Sequence, residues 1–193
     1  MIAALYVDPR GAYAGLADVE VWDEARDARA YAGPHRVVAH PPCARWCRLA
    51  GLTEKTYGIP RHKDGGCFQA ALDSVRRWGG VLEHPAWSDA WWFHGLNKPP
   101  RAGGWVAADF VGGWTCYIEQ GHYGHRARKG TFLYAVGVDL PSLRWGELPQ
   151  GSMALVSGGD NDGAYKGRPR VWQSEAIKTP EAFRDVLLDM VRD

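Results

Sequence analysis

Arg36-Val-Val-Ala-His-Pro-Pro-Cys43 sets a thiol just past a short apolar run that two prolines bring to a stop. A strand ending there presents its cysteine at the carboxyl edge of a sheet, where open α/β sheets bind ligands. Forty residues on, Gly80-Val-Leu-Glu-His-Pro85 repeats the plan with a glutamate in the thiol's place. His122-Tyr-Gly-His-Arg-Ala-Arg-Lys129 then puts a basic cluster before a third apolar run, Thr131 to Val136. A thiolate is a strong nucleophile whose availability follows its pKa, and positive charge from Arg45, Arg48, Arg126 and Arg128 would favour it. Glu83 would donate a proton if a partly buried site raised its pKa. His122 and His125 offer acid–base groups or phosphate contacts, and Lys129 a phosphate contact. Each has a plainer reading: a free cysteine is most often a small buried hydrophobe, and such His and Lys residues are ordinary loop polar groups.

These groups need strands behind them. Residues 2 to 7 and 18 to 22 read as strands, the second ending at Asp23-Glu24, with a short helix from Ala25 to Ala32. Arg36 to Ala39 is the third strand. Residues 44 to 66 are rich in Gly, Pro, Arg and Lys and read as an irregular loop over a site. Phe68, Ala71, Leu72, Val75 and Trp78 recur at helical spacing, with Asp64 as cap and Gly79-Gly80 as stop. Val81-Leu82 is a strand. A short helix follows near Ser88 to Phe93, then a tryptophan-rich loop, then strands at Thr115 to Glu119 and Thr131 to Val136. Residues 138 to 170 read as mostly irregular, and Thr179-Pro-Glu opens an amphipathic helix that buries Phe183, Val186, Leu187, Met190 and Val191. Strands alternating with helices predict one α/β sheet.

The chain has 193 residues, enough for one domain with a real core, and a net charge of +1 gives no bulk basic field for nucleic acid. Local basic runs, such as Lys166-Gly-Arg-Pro-Arg170, could still grip a phosphate backbone. No stretch is long and apolar enough to span a membrane, and Met1 to Asp8 reads as a strand rather than a signal peptide. With four cysteines this predicts a reducing, cytoplasmic compartment.

In their order, the three segments resemble the DNA cytosine-5 methyltransferases. The resemblance implies that Cys43, in Pro42-Cys43, attacks C6 of a pyrimidine, that Glu83 contacts N3, and that Arg126 and Arg128 hold the base; His122, His125 and Lys129, read from the residues alone, would then stand beside the substrate. It implies S-adenosylmethionine as methyl donor, with Asp8, Gly11 and Asp23 lining its pocket. The fold implied is a single-domain, mostly parallel sheet like a truncated Rossmann-like methyltransferase, residues 1 to 193, without a separate target-recognition domain. The chain departs from the family pattern in three places. Gly124 stands where the family has a glutamine before Arg-x-Arg, only about ten residues separate the first two strands, and 65 residues follow Arg128. The chain thus resembles a minimal, phage-type relative of the family. It would act on DNA or a pyrimidine nucleotide, with a protein partner able to supply target recognition.

Two other readings stay open. Cys43, Cys47 and Cys67, with His40, His62 and Cys116 also available, could hold zinc or an iron–sulfur cluster in a non-catalytic nucleic-acid-binding module. The chain could also be a degenerate methyltransferase that serves as a partner subunit.

Overall fold

The computed structural model describes residues 1–47, 50–149, 155–156 and 170–192. The strands are β1 (Ile2–Leu5), β2 (Val19–Trp22), β3 (Arg36–Ala39), β4 (Gly80–Pro85), β5 (Val106–Ala107), β6 (Trp114–Glu119) and β7 (Gly130–Val136). They form one sheet in the order β2-β1-β3-β4-β7-β6-β5. The ladders joining β2, β1, β3 and β4 are parallel; those joining β4 to β7, β7 to β6 and β6 to β5 are antiparallel. The sheet is therefore mixed, and the expected mostly parallel sheet holds for its first half alone. A hairpin-like return through β6 and β7 closes the second half without crossover helices.

Helix α1 is Ala50–Tyr57, α2 Cys67–Trp78, α3 Asp89–Phe93, α4 Gln173–Ala176 and α5 Glu181–Val191. A separate two-stranded pair joins β8 (Leu155–Val156) to β9 (Arg170–Val171). Helix α1 falls inside the segment read as irregular, because its apolar residues Leu52 and Tyr57 stay exposed and leave no periodic signature. The expected helix at Ala25 to Ala32 is a single 3-10 turn, Ala28–Ala30, entered through Asp27 in the left-handed region. The Lys166 to Arg170 run falls almost wholly outside the described residues, as does Arg48. Among the described residues no helix is long and apolar enough to cross a membrane.

Strand alternation sorts the core into two layers. Val37, Ala39 and Leu82 face α2 and pack with Phe68, Ala71, Leu72 and Val75. Ala4, Val38, Val81, Leu133 and Ala135 face α5 and pack with Phe183, Leu187, Leu188 and Val191. Asp64 caps α2 as expected, its carboxylate accepting from the Gly66 and Phe68 amides at 2.9 and 2.8 Å. Strands β2 and β3 lie on opposite sides of β1, so the chain reverses its direction of travel across the sheet between β1 and β3. Such a reversal leaves a crevice beyond the carboxyl ends of the strands. Tyr6 to Asp8 and His40 to Cys43 rim that crevice, since they continue β1 and β3.

Candidate active site

The β3–β4 register pairs Val38 with Val81 and Ala39 with Leu82. One step further it sets His40 beside Glu83. On the other side of β3 the His40 amide donates to the Leu5 carbonyl at 3.0 Å, which extends the β1–β3 ladder to His40. By alternation His40, Glu83, Thr131 and Gln120 all share the α5 face of the sheet, as do Val38, Val81, Leu133 and Ile118. His40 Nδ1 donates to Glu83 Oε2 at 3.0 Å, and Tyr13 Oη meets His40 Nε2 at 2.8 Å. Gln120 Nε2 donates to Glu83 Oε1 at 2.9 Å and to Thr131 Oγ1 at 3.0 Å. Thr131 in turn donates to the Lys129 carbonyl. Both carboxylate oxygens of Glu83 are thus held, and the line Tyr13–His40–Glu83–Gln120–Thr131 spans four strand ends. Gln120 is wholly buried, and its Oε1 has no hydrogen-bond partner.

Charge in this cluster differs from what the arginine-rich sequence predicts. Burial would raise the Glu83 pKa, but the His40 hydrogen bond and the charges of His40, Lys129 and His84 overcome it and bring the value down to about 2. Glu83 is a firmly ionised carboxylate and not, by itself, the proton donor expected. Cys43 moves the other way. Burial, then Cys47 and Glu83, push its thiol up to about 11, and Lys129 is the cation that opposes them. The Lys129 side chain is half-buried, its pKa lowered by desolvation against the pull of Glu83 and Cys43. It is anchored by donating to the Lys178 and Ile177 carbonyls at 2.7 and 3.4 Å.

Arg126 and Arg128 are tied elsewhere. Arg126 Nη1 bonds both oxygens of Glu175, at 3.0 and 2.9 Å. Arg128 Nε bonds both oxygens of Glu119 at 2.9 Å, while its Nη2 reaches Glu147 at 2.9 Å. His122 donates from Nε2 to the Gly146 carbonyl at 3.1 Å, and buried His125 accepts the Ala127 amide at Nδ1. These four side chains fasten the segments around the site; Lys129 is the member of the basic cluster whose charge acts on both Cys43 and Glu83. We therefore expect Lys129→Met to slow iodoacetamide labelling of Cys43 about tenfold at pH 8, as loss of the cation lifts the thiol further. Peptide mass spectrometry would follow Cys43 against Cys67; equal Cys43 rates in both proteins would discount Lys129 as its counter-charge.

A cavity of about 980 Å³ opens at the ends of β1 and β2, lined by Tyr6, Asp8, Asp23, Asp27, Arg29 and Cys67 among others. It takes in two of the three expected cofactor residues. Gly11 lies on the adjoining turn, its amide bonded to the Asp8 carbonyl, and a Cβ there would meet only Asp8. Asp23 spends one oxygen on the Arg26 amide. The Tyr6 hydroxyl is buried with no hydrogen-bond partner. Cys67 belongs to this cavity, whereas Cys43 is coupled to Glu83 and Lys129. Among the described residues no three His, Cys, Asp or Glu side chains gather as metal ligands, so the Cys43–Cys47–Cys67 set does not converge.

Sequence reasoning missed Tyr13 and Gln120 and read His40 only as a metal ligand. The signal was there for two of them: His40 follows Val38, and Gln120 follows Ile118, by one strand period. Tyr13 left none, because it lies on an irregular turn. No protein-family model, curated protein or solved structure matches the chain.

Proposed function

We propose that the chain is a cytosine-5 methyltransferase-like enzyme that modifies a pyrimidine base, in DNA or as a nucleotide, through a covalent bond from Cys43 to C6. The observation that carries this reading is a thiol, a held carboxylate and a half-buried lysine that act on one another's charge at the carboxyl edge of β3 and β4, next to the sheet's reversal point. Cys43 is the nucleophile, Glu83 the partner of N3, and Lys129 the cation near both. In this chain Lys129 takes the place that the resemblance gave to Arg126 and Arg128. A target inside a duplex would have to be flipped out to reach these groups.

The neighbouring cavity suits S-adenosylmethionine in three respects. Its volume is in the range of ligand pockets, its rim carries the acidic Asp8 and Asp23, and the Tyr6 hydroxyl lacks a partner. Bound there, the donor would supply an electrophilic methyl group. Asp23 would meet ribose hydroxyls, and the carboxylates would favour a cationic donor. Gly11 would shape the turn rather than cradle the group.

Nucleoside mass spectrometry on DNA and nucleotide pools from cells expressing the chain tests the reading, with Cys43→Ser as control. The expected result is a modified pyrimidine present with the wild type and absent with the variant, its mass naming the transferred group. Identical pools from both, with both proteins folded, would overturn the assignment.

A further inference from the structure

Glu83 poses a chemical problem that the residues behind it resolve. When a thiolate adds to C6 of cytosine, electrons move from the C5=C6 bond toward N3, and N3 must take a proton. A carboxylate whose two oxygens accept hydrogen bonds from His40 and Gln120 carries no proton of its own. His40 can supply one. With protons on both ring nitrogens it forms an imidazolium–carboxylate pair with Glu83. The Tyr13 hydroxyl accepts from Nε2–H in that state and still does once Nδ1 has given up its proton, so the remaining ring proton stays on Nε2.

Resting on the pyrimidine reading above, we infer that His40 is a positioning and relay residue, passing a proton through Glu83 to N3 of the base as Cys43 bonds to C6. The step balances. The S–C6 bond forms and the C5=C6 double bond breaks, while the Cys43 thiol proton leaves to water. His40 gives its Nδ1 proton to Glu83, which passes it on to N3, leaving a neutral imidazole beside the carboxylate. C5 is now nucleophilic. Even without a methyl donor it takes a proton from water, loses its own hydrogen on reversal, and the thiolate leaves as N3 returns its proton to Glu83. The measurable product is exchange of the C5 hydrogen with solvent.

The test uses a single-stranded oligodeoxynucleotide bearing tritium at cytosine C5, with release of tritium to water as readout. Wild type should release it and Cys43→Ser should not. In His40→Asn the amide keeps a donor toward Glu83 but cannot pass a proton. Its kcat should fall about a hundredfold, with KM changed less than about twofold. Tyr13→Phe should lose about tenfold. In His40→Gly, added imidazole should restore part of the rate, which a merely structural loss would not permit. Equal rates for wild type, His40→Asn and Tyr13→Phe would overturn the relay and leave Cys43 as nucleophile. No release by wild type would overturn the pyrimidine reading and the relay with it.

Discussion

Stability should fall by about 6 kcal/mol between pH 7 and pH 2, in two limbs belonging to adjacent residues, His84 and Glu83. His84 lies on the opposite sheet face from Glu83, fully buried between Phe68 and Trp91, and neither ring nitrogen has a hydrogen-bond partner. Burial lowers its pKa from 6.5 to about 4, against the pull of Glu83 and the Pro42 carbonyl. The unfolded chain binds a proton at this residue below 6.5, whereas the folded chain does not until about 4. Stability from neutral His84 is therefore present above 6.5 and lost as pH falls to about 4, about 3 kcal/mol in all. Glu83 continues the loss. Its folded value of about 2 lies below the ordinary 4.5, so its contribution is present above 4.5 and lost toward 2, again about 3 kcal/mol.

A domain with about 5–15 kcal/mol in total has little left after both limbs, so acid unfolding should be complete before the second one ends. His84→Phe separates them. A phenyl ring fills the space between Phe68 and Trp91, removes the buried nitrogens, and leaves Glu83 with its His40 and Gln120 bonds. His94 and His125, whose pKa values burial also lowers, add the same loss to both proteins, so urea unfolding at pH 7 and pH 5 should show wild type losing about 2 kcal/mol more than the variant between the two. An equal loss in both proteins would remove His84 as the source of the upper limb.

The amino-acid pattern placed this chemistry better than it described it. β3 and β4 were legible because each is a short apolar run closed by proline, and their ends predicted a thiol and a carboxylate on one sheet edge. The partners of Glu83 were not. His40 belongs to Glu83 only because β3 and β4 are parallel neighbours in one register, a fact carried by residues 43 apart. The carboxylate partners of Arg126 and Arg128 were hidden for the same reason: Glu175, Glu119 and Glu147 come from three other segments. Counting cations near Cys43 in sequence therefore predicted a lowered thiol pKa, whereas burial raises it. The second half of the sheet was misjudged as parallel because β6 and β7 are apolar runs with no tight hairpin between them. The link is instead the 3-10 turn Gln120–Tyr123 and the loop to Lys129.

Gly80 shows how closely that register is enforced, and Gly80→Ala should lose about 4 kcal/mol or more, a size reserved for a few mechanisms. In the sequence Gly80 looks like the second half of a helix stop. In the fold it opens β4 opposite Val37, at φ 144°, where a Cβ would stand 2.0 Å from the Val37 carbonyl oxygen and 2.8 Å from its nitrogen. Those are main-chain atoms of β3, and no rotamer change can move them aside. Relief requires β3 and β4 to part by about 1.5 Å, since non-bonded heavy atoms settle at about 3.5 Å. Val38, Ala39, Val81 and Leu82 are fully buried, so the parted strands would also strain both core layers. The displacement would be felt at the far end of the same ladder, where His40 meets Glu83. Gly51→Ala is the control: it lies inside α1, where an added Cβ meets only the flexible Arg61 side chain at 3.4 Å, and should be neutral or stabilising by up to about 1 kcal/mol. Urea midpoints read by circular dichroism decide the matter. A Gly80→Ala midpoint within error of wild type would mean that the strands tolerate separation, and that the close β3–β4 register is not what holds His40 against Glu83.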